Sequence, residues 1–123
     1  MSTIITQADS SPITVCSLND LVEGSGVAAK IEQNQIALFY LPADALSTNS
    51  PQVFALNNYD PIGKANVLAR GIVGDVGGEP VVASPLYKQH FSLITGCCIE
   101  QPDVSVKTYK VEIFDDLVQI WLQ

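Results

Sequence analysis

The feature that most constrains the fold is that apolar residues come in short runs, each bounded by glycine, proline, asparagine or aspartate. The clearest pair is VSVKTYKVEIF and LVQIWLQ, which flank Asp115 and Asp116 near the end of the chain. Side chains alternate between the two faces of a strand, and two such runs joined by a two-residue turn predict a β-hairpin. No run has the length and 3.6-residue period of an ordinary helix. The sequence therefore predicts an all-β domain.

The same pattern recurs earlier in the chain. VAAKIEQ and QIALFYL, separated by Asn34, predict a second hairpin, and QVFALNN predicts the next strand. The glycines of GIVGDVGGEPVVASP predict small curved hairpins, because glycine supplies the positive φ that tight turns require. YDPIGKANVLAR has room for at most one helical turn. We expect about eight to ten short strands in stacked antiparallel sheets or an open barrel.

The length of 123 residues suits one domain with its own hydrophobic core. Residues 1–12 mix polar side chains without periodicity, so we predict a flexible N-terminal tail before a single domain over residues 13–123. Phe114 and Trp121, apolar members of the last hairpin, are predicted to lie in the core. The chain lacks both an apolar run long enough to span a bilayer and the pattern of a secretory signal, which favours a cytoplasmic protein without membrane contact.

The charge of the chain excludes one class of partner. A net charge of −7 argues against nucleic acid, because binding a polyphosphate requires clustered lysine and arginine. The charge is also unevenly distributed. Residues 61–93 carry three cations, Lys64, Arg70 and Lys88, against two carboxylates, a balance of +1 that leaves −8 for the rest. This difference indicates either a functional surface or chance in a short window.

Residue chemistry alone identifies no catalytic residue. A zinc site requires four ligands, usually in spaced pairs, and the chain has one histidine, His90, and one adjacent pair, Cys97 and Cys98. With Cys16 the thiols number three, which does not make a disulfide framework. A phosphate-binding G-x-x-x-x-G-K-[ST] loop is absent from the sequence.

Three segments taken together resemble the Rieske-type ferredoxin domain. They are VCSLNDLVEGSGVAAKI, VFALNNYDPIGKANVLARGIVGD and VASPLYKQHFSLITGCC. In that family a C-x-H loop follows the VFAL strand, and a C-x-x-H loop precedes the F-x-L-x-T-G segment. The resemblance covers residues 15–121, and it implies a Rieske-like fold with a cluster-binding subdomain at about residues 58–98.

The residues at the ligand positions depart from the family pattern. The first loop offers Asp60 and Ile62 where cysteine and histidine would stand, and the second loop offers Ser84 and Tyr87. A Rieske cluster requires two cysteines on one iron and two histidines on the other, and His90 is the only histidine in the chain. The resemblance therefore implies a degenerate cluster subdomain, with no cofactor, metal or catalytic residue in this chain.

The particular replacements are similar to those of one subgroup. N-x-D-P, A-S-P-L-x-K-Q-x-F-x-L, G-x-C and S-V-K-x-Y resemble the small subunits of the cytoplasmic, assimilatory NAD(P)H-dependent nitrite reductases. In that subgroup the large subunit carries FAD, sirohaem and a [4Fe–4S] centre and reduces nitrite to ammonium. The resemblance implies an accessory, non-catalytic subunit of this oxidoreductase, in nitrate assimilation, with the large subunit as partner.

The predicted cluster subdomain carries four basic or titratable side chains that suggest a docking surface. Lys64, Arg70, Lys88 and His90 form a less acidic region of an acidic chain, and we hypothesise that they dock on an acidic surface of the large subunit. The competing interpretation is that these are ordinary solvated side chains.

Two alternative functions stay open. One is a free-standing β-domain that keeps the Rieske shape and acts as a binding module, because a fold alone does not settle function. The other is a non-Rieske metal site built from Cys97, Cys98, His90 and Asp60. Thiolates and imidazole are competent metal ligands, but adjacent thiolates converge on one ion only with strain.

Overall fold

The computed structural model describes residues 11–42 and 52–122. These residues form eleven strands and two short 3₁₀ turns, Leu18–Asp20 and Leu68–Arg70, and no α-helix. The strands are β1 Ile13–Ser17, β2 Ser25–Ile31, β3 Asn34–Leu41, β4 Gln52–Asn57, β5 Tyr59–Asp60, β6 Ala65–Asn66, β7 Ile72–Val76, β8 Glu79–Ala83, β9 His90–Ser92, β10 Thr108–Phe114 and β11 Leu117–Trp121. The all-β prediction is confirmed. Nothing helical in the described parts of the chain is long and apolar enough to cross a membrane.

The strands form one large and two small antiparallel sheets. The large sheet has the order β1-β11-β10-β4-β3-β2, the second sheet is β7-β8-β9, and β5 pairs with β6. The predicted hairpins are present. β2 faces β3 with Val27 opposite Leu38, and the last hairpin turns at Asp115 and Asp116, whose φ angles are 54° and 63°. Positive φ at both central residues is what the two-residue hairpin turn that matches strand twist requires.

The hydrophobic core lies on both faces of the large sheet, as the alternation along β3 shows. Ile36 and Leu38 point into one cluster, which includes Val118 and Ile120. Ala37 and Phe39, which alternate with them, point into the other. The second cluster joins the large sheet to the β7-β8-β9 sheet; its members include Ala37, Phe39, Leu56, Leu68, Val82, Phe91, Leu93 and Cys98. This packing fixes the position of the small sheet, and the loop that follows β8 is fixed with it.

One prediction about the core is wrong. Phe114 is 69% exposed, because it lies beside the hairpin turn, whereas β10 pairs with β4 only at Thr108 and Tyr109. Trp121 is half-buried, and the Nζ of Lys110 lies 4.7 Å from its ring centroid. Most of the predicted N-terminal tail, residues 1–10, and residues 43–51 lie outside the described residues.

Candidate functional site

Two five-residue loops meet at one end of the molecule. Loop 1 is DPIGK, residues 60–64, and loop 2 is SPLYK, residues 84–88; we call the two together the tip. In loop 1 the amide of Lys64 donates to the carbonyl of Asp60 at 2.6 Å, and in loop 2 the amide of Lys88 donates to the carbonyl of Ser84 at 3.0 Å. Both lysines have positive φ angles, 61° and 64°. The two loops therefore share one turn design, which ends in a left-handed lysine.

A buried side-chain hydrogen bond joins the two loops. The Ser84 hydroxyl donates to Oδ2 of Asp60 at 2.5 Å, and both residues are only 1% exposed. Oδ1 of Asp60 accepts from the amides of Ile62 at 2.8 Å and Gly63 at 3.0 Å. A carboxylate out of contact with water needs such donors, and here each oxygen has at least one. The Asp60 side chain thus ties loop 1 to itself and to loop 2.

The close approach of the loops depends on a glycine. A Cβ atom on Gly63 would lie 3.0 Å from Oδ2 of Asp60 and 3.1 Å from Cβ of Leu86, with the Leu86 Cδ1 closer still. Buried Asn58 then anchors loop 1 to the body of the domain. Its side-chain oxygen accepts from the backbone amide of Ala69 at 2.7 Å, and its backbone amide donates to the carbonyl of Gln35 at 2.8 Å.

The four positions at which the sequence predicts replaced cluster ligands have different surroundings in the structure. Asp60 and Ser84 come together in the buried bond. Ile62 carries no donor atom and packs against the core, and Tyr87 extends into solvent with 66% of its surface exposed. The assignment of these four positions to the family's ligands stays a prediction.

The donor set at the tip does not fit a Rieske cluster. Such a cluster takes two thiolates and two imidazoles, and the tip offers one carboxylate, one hydroxyl, an aliphatic chain and an exposed phenol. The Ser84 hydroxyl and the Asp60 carboxylate already bond each other directly, which closes the space between the loops. Over residues 11–42 and 52–122, no group of three or more histidine, cysteine, aspartate or glutamate residues could hold a metal ion.

The residues of the alternative metal site point to different partners. The Cys97 thiol faces the carbonyl of Pro102 at 3.4 Å, whereas the fully buried Cys98 thiol lies 3.7 Å from a carboxylate oxygen of Glu100. Burial is the main cause that raises the pKa of the Cys98 thiol, so this group stays protonated at neutral pH. The two neighbouring thiols therefore do not converge on one point.

Glu100, which sequence analysis missed, holds His90. One carboxylate oxygen accepts from the His90 amide at 2.8 Å, and the other lies 2.6 Å from the ring Nδ1. Burial acts to raise the pKa of Glu100, but the hydrogen bonds from the backbone and ring of His90 outweigh it, and the pKa lies below its ordinary value. The pair ties the start of β9 to the segment that follows Cys98.

The tip and Arg70, which lies outside it in the second 3₁₀ turn, carry exposed basic and apolar side chains. Lys64, Arg70 and Lys88 are exposed, and none of the three takes part in an ion pair within the described residues. In loop 2, Lys88 follows directly after Leu86 and Tyr87, which are 44% and 66% exposed. Sequence analysis did not single out Leu86. The repeated pattern polar-Pro-aliphatic-x-Lys was the signal that could have found it.

The chain is similar in sequence to known proteins. A family model described as a Rieske-like [2Fe-2S] domain matches residues 12–121. The nitrite reductase (NADH) small subunit of Salmonella typhimurium is 41% identical over 106 residues, which cover 86% of this chain and 93% of that protein. The chain belongs to the Rieske-like family, among its nitrite reductase small subunits. This confirms the resemblance and the fold class predicted from the sequence.

Further relatives extend the family assignment. The NMR structure of the Escherichia coli protein NirD has a TM-score of 0.77 and 37% identity, and the match covers 89% of this chain and 94% of that one. A part of the Klebsiella oxytoca nitrite reductase [NAD(P)H] large subunit is 38% identical over 99 residues, which cover 80% of this chain and 10% of that protein. A Rieske-like small-subunit domain therefore also occurs within a much longer chain.

Proposed function

We propose that this chain is a non-catalytic accessory subunit of a cytoplasmic NAD(P)H nitrite reductase, which reduces nitrite to ammonium in nitrate assimilation. The observation that carries the proposal is the buried bond between Asp60 and Ser84, because the sequence predicts cluster ligands at these two positions and here they bond each other. Membership of the nitrite reductase small-subunit family supplies the enzyme to which the chain belongs.

The chemistry of the reaction is assigned to the partner. FAD, sirohaem and a [4Fe–4S] centre are expected in the large subunit, where they would carry electrons from the nucleotide to nitrite. This chain would contribute a surface of fixed shape. Its loops are ordered by hydrogen bonds from Asp60 and Ser84, so the tip needs no metal to hold its conformation. A surface ordered before binding loses less conformational entropy on association.

The match to the Klebsiella oxytoca large subunit supports the choice of partner. There a similar domain is part of the longer chain, so covalent linkage keeps it at a high effective concentration next to the rest of that protein. A separate small subunit lacks this linkage and has to reach the same proximity through a binding interface. We therefore propose that the large subunit is the direct partner of this chain.

Co-expression with the large subunit from the same source tests the proposal. Nitrite-dependent oxidation of NADH and of NADPH would be measured for the large subunit alone, for this chain alone and for both together. We expect the two chains to elute as one complex, this chain alone to be inactive, and the large subunit to be more active or better assembled with its partner. Separate elution with unchanged activity would contradict the proposal and favour the free-standing binding module.

A further inference from the structure

We propose that the chain docks through its tip onto an acidic face of the large subunit that surrounds an apolar depression. This inference rests on the function proposed above and adds the surface and the chemistry of the contact. Four exposed residues would make that contact: Lys64, Leu86, Tyr87 and Lys88.

The tip exposes two neighbouring apolar side chains. Leu86 and Tyr87 are neighbours in a five-residue turn, and 44% and 66% of their surfaces are exposed. Ile72, which is 76% exposed, pairs with Ala83, one residue before loop 2, and is a further exposed apolar side chain near that loop. Binding energy in protein interfaces concentrates in a few well-packed residues, among which tyrosine is enriched. The tip thus offers a central anchor with an apolar surrounding.

Both lysines at the tip adopt a backbone conformation that is unfavourable for lysine. Lys64 and Lys88 both have φ angles near 60°, a region where glycine and asparagine are at less of a disadvantage. The same position of both loops nevertheless carries lysine. Backbone strain of this kind often marks a functional position. Here the side-chain charge, which neither glycine nor asparagine supplies, is the property that lysine adds.

The two lysines are also held relative to each other. Each is the last residue of a turn closed by the hydrogen bond from its own amide, to Asp60 in loop 1 and to Ser84 in loop 2. Those two residues are bonded to each other through their side chains. A single buried contact therefore sets the separation of the two charged loop ends, which favours a partner surface with carboxylates at matching positions.

The charge of the whole molecule favours the same orientation. β10 starts beside the tip, where Thr108 pairs with Leu56, and runs away from it to Phe114. At that far end stand Asp115 and Asp116. The tip thus carries two exposed lysines and the hairpin end two aspartates, which would orient the tip toward a negative partner.

The other side chains predicted to dock have different roles. The ring of His90 is bonded to the Glu100 carboxylate and so is not a free basic group on this surface. Arg70 is exposed at the end of a 3₁₀ turn, two residues before Ile72, and would add to the positive charge around the contact. The proposal therefore centres on Lys64 and Lys88 and on the apolar pair Leu86 and Tyr87.

Binding of the purified large subunit to variants of this chain tests the inference. The double variant Lys64→Asn/Lys88→Asn removes both charges with a residue that tolerates positive φ, and Tyr87→Ala removes the exposed ring. We expect each to raise the dissociation constant about tenfold or more, and the lysine variant to weaken the dependence of binding on salt. Thermal melting would establish that each variant is folded.

Two further variants serve as controls. Lys30→Gln/Lys110→Gln removes the same charge from the large sheet, and we expect its dissociation constant to stay within about twofold of wild type. Phe114→Ser/Leu117→Ser changes the exposed apolar pair at the acidic hairpin end.

Unchanged binding by both tip variants would overturn the inference, as would loss of binding only in the hairpin variant. If the wild-type chain itself did not bind, the proposed function would fail instead.

Discussion

Two residues at the tip, Asp60 and Ser84, carry the structural argument. Sequence comparison with the Rieske pattern singled out both, because they stand where cysteines are expected, and the structure shows that they bond each other. Glu100 could not be found in this way. Its partner His90 lies ten residues away across a turn, and no spacing rule links a carboxylate to a histidine over that distance. Contacts of this kind depend on the folded path of the chain.

Removal of the Ser84 hydroxyl tests the bond directly. Ser84→Ala leaves a buried oxygen of Asp60 without its donor, so we expect the free energy of unfolding to fall by about 1–3 kcal/mol. Urea denaturation followed by circular dichroism would measure it. Ser105→Ala, at an exposed serine, is the matched control and should change stability by less than about 0.5 kcal/mol. Equal small effects of both substitutions would show that the bond contributes little.

The acid dependence of the contact between Glu100 and His90 can be predicted. The pKa of Glu100 is lower in the folded protein than its ordinary value of 4.5. A carboxyl group of this kind adds stability above its unfolded pKa and loses it as the pH falls through the folded pKa. We therefore expect Glu100→Gln to be less stable than wild type at about pH 7, and the difference to narrow at about pH 3.

Chemical denaturation at the two pH values would measure this difference. Glu112→Gln is the control, because Glu112 forms only an exposed ion pair with Lys110 at 3.8 Å. Such surface pairs contribute about 0–1 kcal/mol. A deficit of Glu100→Gln that stays constant or grows on acidification would contradict the assignment.

At the scale of elements, the hairpins were the most predictable part of the fold. The alternation in β10 and β11 and the aspartates between them determine the last hairpin, and the structure has its turn where the sequence placed it. Phe114 shows the limit of the same argument. Alternation assigns a face of the sheet, but whether that face is covered depends on how far β4 pairs with β10, which the local sequence does not encode.

Gly96 tests how the segment after β9 is held. Its φ is +79°, and a Cβ atom there would collide with the backbone carbonyl of Val106, which cannot move as a flexible side chain would. We expect Gly96→Ala to lower the free energy of unfolding by about 2 kcal/mol or more. Gly74→Ala is the control, because a Cβ atom at Gly74 meets nothing within 4 Å and the backbone there needs no positive φ.

Thermal and urea unfolding of both glycine variants would give the comparison. Gly74→Ala should be neutral or slightly stabilising, since alanine loses less backbone entropy than glycine in a strand. Similar losses in the two variants would show that the close approach at Gly96 is not what makes its substitution costly.

At the scale of the whole molecule, family membership and the chemistry of the tip give complementary information. The Rieske-like fold is shared with proteins whose family is described by an iron–sulphur cluster, yet the ligand positions predicted here hold a hydrogen-bonded pair, an aliphatic side chain and an exposed phenol. A sequence pattern can predict that ligands are missing. It could not predict that Asp60 and Ser84 would bond each other, because this depends on the separation of two loops fixed by the core and by Gly63.

The iron content of the purified chain tests the central claim most directly. The chain would be expressed with iron and sulphide supplied, purified under anaerobic conditions, and analysed for iron, acid-labile sulphide and visible absorption. Since the tip is held by the bond between Asp60 and Ser84 and its donor set does not fit a Rieske cluster, we predict a colourless, folded protein with no stoichiometric iron. Two iron atoms per chain together with visible charge-transfer bands would contradict the account.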